Sequence, residues 1–174
     1  MRLKNGSELI IREARKEDAA ALISYVNTVA GESDNLTFGV GEFNKTVGQE
    51  EAYIESLAGN PSATMLVGTV DDRIICCGNI FTPHRARFAH NCEIAMSVLK
   101  EFWGLGAGTH LIEALIAFAK STGTIEIIHL RVRSGNARAI ALYKKMGFQQ
   151  IGLYPKDAKI NGKYHDTILM NLYL

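Results

Sequence analysis

Two short stretches of this chain gather residues whose types and spacing suit chemistry. The first is Trp103-Gly104-Leu105-Gly106-Ala107-Gly108-Thr109, set between a predicted strand and a predicted helix. Alternate glycines let a backbone approach a ligand closely. They also leave N–H groups unshielded at a helix N-terminus, an anion site suited to a pyrophosphate. Two other phosphate loops are excluded by inspection. A G-x-G-x-x-G fingerprint needs glycine where Thr109 stands, and a P-loop needs Gly-Lys-Ser/Thr, which the chain lacks. The same glycines serve a tightly packed turn equally well, and the loop alone does not separate the two readings.

The second stretch runs from Asn136 to Phe148. Asn136 is placed to cap a helix that follows a strand. Tyr143 comes two turns later on the same face, ~10 Å along the axis. An amide and a phenol therefore point to one side, spaced to touch two parts of an elongated ligand. Ala139 between them is too small to obstruct it. A plain amphipathic helix with an Asn cap and a core Tyr has the same pattern.

The elements that must position these residues follow from periodicity. Glu8–Arg12 reads as a strand, and a helix opens at Lys16-Glu17-Asp18. Gly31–Gly48 reads as a loop, Glu50–Leu57 as a second helix, and Thr64–Val70 and Arg73–Phe81 as a hairpin turning at Asp71-Asp72. His90–Val98 is the next strand, with Cys92, Ile94, Met96 and Val98 on one face and Glu93 on the other. A helix then runs from the glycine turn to Ala119. Ile125–Arg133 is a strand, and Asn136–Met146 a helix with Gly147 just past its end. Phe148–Leu153 and Tyr164–Leu172 close the chain as strands. Hairpins beside a β-α-β-α unit predict a mixed α/β sheet in one domain, residues 1–174.

Composition excludes several classes. A hydrophobic share of 47% and a charged share of 21% are those of a globular protein, not of a disordered or disulfide-scaffold chain. No run approaches the ~20 apolar residues of a membrane span, and the N-terminus lacks a signal-peptide run, so a cytoplasmic address is expected. Cys76, Cys77 and Cys92 form no C-x-x-C and read as apolar core residues. The five histidines form no metal-ligand pattern, so no metal is expected. The net charge of +1 hides a split: residues 31–60 carry −5 and the rest +6. Two solvated faces of opposite sign, or one anionic and one cationic partner group, would both explain it.

Taken together the two stretches resemble the GNAT superfamily of N-acetyltransferases. The family's acetyl-CoA loop, Gln/Arg-x-x-Gly-x-Gly/Ala, is matched from Trp103 to Gly108, with Trp103 in place of Gln or Arg. Its later signature, Asn-x-x-Ala-x-x-Leu-Tyr-x-x-x-Gly-Phe, is present in full from Asn136 to Phe148. The element order agrees over the whole chain. The resemblance implies a mixed sheet of about seven strands flanked by about four helices. It implies acetyl-CoA as cosubstrate, with the backbone of Met96, Ser97 and Val98 meeting the pantetheine arm like an added strand. The amides of Gly104, Leu105, Gly106, Ala107, Gly108 and Thr109 would hold the pyrophosphate, and Asn136, Ala139 and Tyr143 would line the cofactor. Arg138, Lys144 and Lys145 would add positive potential near the phosphates.

The chemistry expected is direct attack by a primary amine on the thioester in a ternary complex. An amine of pKa ~10 is protonated at neutral pH, so a base must take its proton. Glu93 is the candidate base, and Tyr143, by the family analogy, the acid for the departing thiolate. The acceptor is expected to meet the Gly31–Gly48 segment, with Glu32, Asp34, Glu42, Phe38 and Phe43, and the later Tyr154–His165 segment, with Lys156, Lys159 and Lys163. The first suits a cation and the second an acid. A small-molecule amine is the expected acceptor, with a protein N-terminus or lysine, or a catalytically silent acyl-CoA-binding module, as alternatives. Nucleic acid and membrane are not expected as partners, and a homodimer is left open.

Overall fold

The computed structural model describes residues 1–174. Its order is β1 (Ile10–Glu13), α1 (Ala19–Glu32), α2 (Val47–Ala58), β2 (Thr64–Val70), β3 (Arg73–Phe81), β4 (Asn91–Val98), α3 (Ala107–Ser121), β5 (Ile127–Arg133), α4 (Ala137–Lys145), β6 (Gln149–Ile160) and β7 (Lys163–Tyr173). The seven strands form one sheet in the order β1-β2-β3-β4-β5-β7-β6. Every pair is antiparallel except β4–β5. The α/β class, the seven strands and the four helices agree with the sequence reading.

The sheet separates the helices. Gly78 of β3, opposite Met96 of β4, takes the close approach of α3: a Cβ there would meet Leu115 Cδ1 at 2.8 Å. On the other face Tyr25 of α1 is buried and shares a hydrogen bond with Ser97 Oγ at 2.8 Å. Leu111, Leu115, Ile75, Ile80, Cys76 and Cys92 are fully enclosed between sheet and helix, so the two cysteines are core residues as expected. No helix is long and apolar enough to cross a membrane.

Boundaries differ where local chemistry outweighs hydrophobic periodicity. Lys16–Asp18 is a 3-10 turn, and α1 starts after it. Two side chains fix that turn, because Asp18 accepts a bidentate pair from Arg12 at 2.6 and 2.8 Å. The second helix begins at Val47, three residues early, because Thr46 and Gln49 cap it reciprocally. The last hairpin is longer than expected: β6 runs to Ile160, and Asn161-Gly162 turns it with φ of 48° and 78°.

Candidate active site

β4 and β5 are in register for only three residues, Asn91, Cys92 and Glu93 against Ile127, Ile128 and His129. Beyond Glu93 the strands part, while β4 stays paired with β3 up to Val98 and β5 with β7 up to Arg133. A wedge therefore opens in the middle of the sheet, with bare β4 backbone along one side. The direction of that backbone follows from hydrogen-bond parity. Leu99 N–H donates to the Ile75 carbonyl at 2.9 Å, so the groups of Ser97 and Ala95 also face β3. Those of Met96 and Val98 face the wedge. Met96 and Val98, expected to meet the pantetheine arm, thus turn their backbone groups into the wedge. Ser97 does not reach the wedge, since its backbone faces β3 and its hydroxyl meets Tyr25.

The glycine turn closes the wide end of the wedge. Gly104 and Gly106 have φ of +77° and +106°, a region that L side chains rarely enter. Space is not the reason for glycine there: a Cβ at Gly104 would meet nothing, and one at Gly106 only His110 Nε2 at 4.0 Å. Gly106 is the N-cap of α3 and offers no side-chain cap, so the N–H groups of Ala107, Gly108 and Thr109 keep no partner in the chain. Leu105 differs, because its N–H turns back to the Phe102 carbonyl at 3.4 Å. Gly108 is a packing glycine, with Leu142, Met96 and Val98 within 3.4–3.7 Å of the position of a Cβ. It brings α3, α4 and β4 together.

Trp103, which departs from the family pattern, has a definite place. Its indole Nε1–H donates to the Val98 carbonyl at 2.7 Å, taking one of the outward β4 groups. The Arg138 guanidinium lies over its ring at 4.4 Å.

α4 follows β5. The Asn136 side chain accepts from Ala139 N–H at 3.2 Å, as a cap should. At the other end Gly147, with φ of 92°, lets Phe148 N–H bond the Tyr143 carbonyl and Gly147 N–H bond that of Lys144. This closure packs Tyr143 against Phe148, with ring centroids 5.8 Å apart and the planes tilted by 57°. The Tyr143 ring is buried, and burial pushes its phenol up to about 12. Its hydroxyl makes no hydrogen bond within the chain, yet no fully buried polar side-chain atom is left unpaired, so the oxygen keeps an opening to solvent.

Glu93 lies at the apex, where β4 and β5 part. Its surroundings correct the apolar environment expected for it. Its carboxylate accepts from Arg131 Nε at 3.2 Å, and both side chains are about half exposed, at 44% and 56%. Sequence reasoning missed Arg131, because the pair depends on which β5 residue stands beside Glu93. It also missed Arg133, whose guanidinium donates to the Asp34 carbonyl and ties β5 to the segment after α1. It missed His129 too, held between Asn171 Oδ1 at 2.7 Å and Asn91 Oδ1 at 3.2 Å.

Most carboxylates of the acidic segment are already engaged by groups of the chain. Glu32 accepts from Lys100 N–H and Glu42 from Gly39 N–H, each at 2.7 Å. Buried Glu50 takes Lys45 at 2.8 Å. These carboxylates fix the segment's shape, and of the acids expected to greet the acceptor only the Asp34 carboxylate stays uncommitted. In the late hairpin, Lys156 and Lys159 flank the Tyr164 ring at 5.5 and 5.2 Å.

Residues 11–148 match the family described as Acetyltransferase (GNAT) family. The chain is 28% identical to the L-amino acid N-acetyltransferase AaaT of Escherichia coli (strain K12), over 94% of this chain and 97% of that protein. Among solved structures, an acetyltransferase of GNAT family from Streptococcus pneumoniae superposes with a TM-score of 0.94 at 30% identity, over 96% of this chain and all of that one. A putative acetyltransferase from Salmonella typhimurium, yncA, solved with its cofactor acetyl-CoA, superposes with a TM-score of 0.83 at 22% identity, over 95% of this chain and 94% of that one. Free strand edge, unshielded amides and open phenol all fit a long thioester with a diphosphate at one end, and the chain belongs to the GNAT acetyltransferases, enzymes that acetylate amines at the expense of acetyl-CoA.

Proposed function

We propose that the acceptor is the primary amine of a small molecule of amino-acid type, and that it meets acetyl-CoA in one ternary complex. The observation that carries this is the Glu93–Arg131 pair at the apex of the wedge. Two opposite charges side by side and half exposed offer a carboxylate to an ammonium and a guanidinium to a carboxylate. The full-length similarity to an L-amino acid N-acetyltransferase supports the same reading.

In this reading acetyl-CoA supplies the activated acetyl group, and the chain holds and orients it. Met96 and Val98 offer their backbone to the pantetheine arm. The amides from Gly104 to Thr109, with Leu105 contributing least, receive the pyrophosphate, and Asn136 and Ala139 line the path. Glu93, directly or through one water, takes the proton that an amine of pKa ~10 carries at neutral pH. Taking that proton loosens Arg131, which is then free for the acceptor's own carboxylate. Outward strand amides of β4 face the place where negative charge gathers on the acetyl oxygen. Tyr143 holds a proton on its phenol at any physiological pH, for the sulfur that departs.

An acceptor panel with thiol release as readout tests this. L-amino acids should release thiol, their methyl esters at least tenfold less efficiently, and polyamines hardly at all, since losing one charge-assisted contact costs about 1.5–3 kcal/mol. N-terminal peptides as the best acceptors would overturn the small-molecule reading. Acetyl-CoA binding with no thiol release on any amine would make the chain a binding module.

A further inference from the structure

An α-amino acid carries three groups on its central carbon, and the pair at the apex provides for two of them: Glu93 for the ammonium and Arg131 for the carboxylate. Sheet register supplies a place for the third, the side chain. β4 lies between β3 and β5, and Arg131 reaches Glu93 from the β5 side. On the β3 side, the residue directly opposite Glu93 is Phe81. Directly paired residues of neighbouring strands stand on one face, with Cβ atoms about 5 Å apart. Phe81 and Arg131 therefore flank Glu93 from opposite sides of one sheet face. That face is open here. Along it β3 is uncovered step by step: Ile75 is enclosed, Cys77 and Asn79 are half-buried, and Phe81 is 41% exposed. Next after Glu93 on the same face of β4 stands Ala95, opposite Asn79, exposed although it lies in mid-sheet. Only at Ser97 does Tyr25 of α1 cover the strand. The Phe81 ring packs on no other ring of the chain. The result is a shallow floor with a charge pair at one side and a bare aromatic face at the other.

We infer that Phe81 receives the acceptor's side chain, and that it selects amino acids whose side chain is large and apolar. The inference rests on the amino-acid reading of the Glu93–Arg131 pair. With the ammonium at Glu93, a side chain need extend only about 5 Å, the spacing of paired residues on adjacent strands, to lie on the neighbouring ring. An apolar side chain there covers apolar surface that water otherwise meets, on the acceptor and on Phe81 alike. A charged side chain would give up hydration against the ring and find no partner in return. A side chain as short as a methyl group would leave the ring wet.

Steady-state thiol release at saturating acetyl-CoA tests this with four acceptors: L-phenylalanine, L-leucine, L-alanine and L-aspartate. In the wild type, kcat/KM for L-phenylalanine and L-leucine should exceed that for L-alanine by about tenfold or more, with L-aspartate lowest. Phe81→Ala should lower the ratio of L-phenylalanine to L-alanine at least fivefold. The change should come through KM for L-phenylalanine, because contact with a remote side chain is made in ground state and transition state alike. Phe81→Leu keeps an apolar surface and should lose less of the ratio than Phe81→Ala. The ratio is the informative quantity, since a merely damaged fold lowers all four acceptors together and leaves it unchanged. A fall of less than fivefold in Phe81→Ala, an equal fall in Phe81→Leu, or a wild type that uses L-alanine or L-aspartate as well as L-phenylalanine would overturn the inference while the amino-acid reading stands. No thiol release from the wild type on any of the four, with peptides accepted instead, would remove that reading and this inference with it.

Discussion

A tyrosine whose ring is packed on Phe148 and whose hydroxyl has no partner in the chain can lose that oxygen without losing its place. Tyr143→Phe should therefore fold and bind acetyl-CoA as the wild type does. Turnover should fall by an amount of general-acid size, typically 10²–10⁴-fold. The low end is expected, because a thiol of pKa ~8.5 is already a fair leaving group. Burial raises the phenol to about 12, so the proton stays in place and the ratio of wild-type to mutant rate should be flat from about pH 7 to 10. Steady-state thiol release beside an acetyl-CoA titration decides it; wild-type turnover in the mutant would hand the proton to water. Asn136 and Tyr143 were legible because a cap and a phenol two turns later lie on one helix, where spacing is geometry. Arg131 beside Glu93 was not legible. A cross-strand neighbour depends on register, and register is decided by the whole sheet.

At the scale of elements, the wedge between β4 and β5 is what makes a site of otherwise ordinary strands. Nothing in either strand's own pattern announces that pairing stops at Glu93 and His129. At Gly108 the start of α3 comes close to Leu142 of α4 and to Met96 and Val98 of β4, so contacts distant in sequence surround the open strand edge. Helix starts and turns, by contrast, were written locally. Thr46-x-x-Gln49 and Asn161-Gly162 are both readable signals that hydrophobic periodicity alone passes over. The turn also makes a prediction. Gly106 needs its φ of +106° but has room for a side chain. Gly106→Val should strain the backbone by about 1–3 kcal/mol, or flip the turn to relieve it. Either outcome moves the amides at the start of α3, and acetyl-CoA binding should disappear by calorimetry while circular dichroism remains that of a folded α/β chain. Unchanged affinity in a folded mutant would leave the turn a packing device.

For the whole molecule the buried thiols matter more than the net charge. Formal charges balance to +1, and the acidic segment neutralises its own lysine and backbone donors. The core, however, encloses ionisable groups that must stay protonated. Burial pushes Cys76 and Cys92 each up to about 12 from an ordinary thiol value near 9, and raises Cys77, Tyr25 and Tyr143 as well. Near neutral pH these groups carry their protons whether the chain is folded or not, so they cost nothing. Above pH ~9 the unfolded chain gives up thiol protons that the folded chain keeps, and each proton lost tilts the balance toward unfolding. By pH ~10.5 each buried thiol should have removed about 2 kcal/mol, and between that pH and about 12 Tyr143 adds to the loss. Urea midpoints at pH 7.5, 9 and 10.5 should therefore fall steeply in the last interval. Cys92→Ala leaves a small cavity, and so starts lower at pH 7.5. Its decline toward pH 10.5 should be shallower than the wild type's, since it has one fewer proton to lose. Midpoints that stay level from pH 7.5 to 10.5, or parallel declines in the two proteins, would mean that these thiols ionise as readily in the folded chain as outside it.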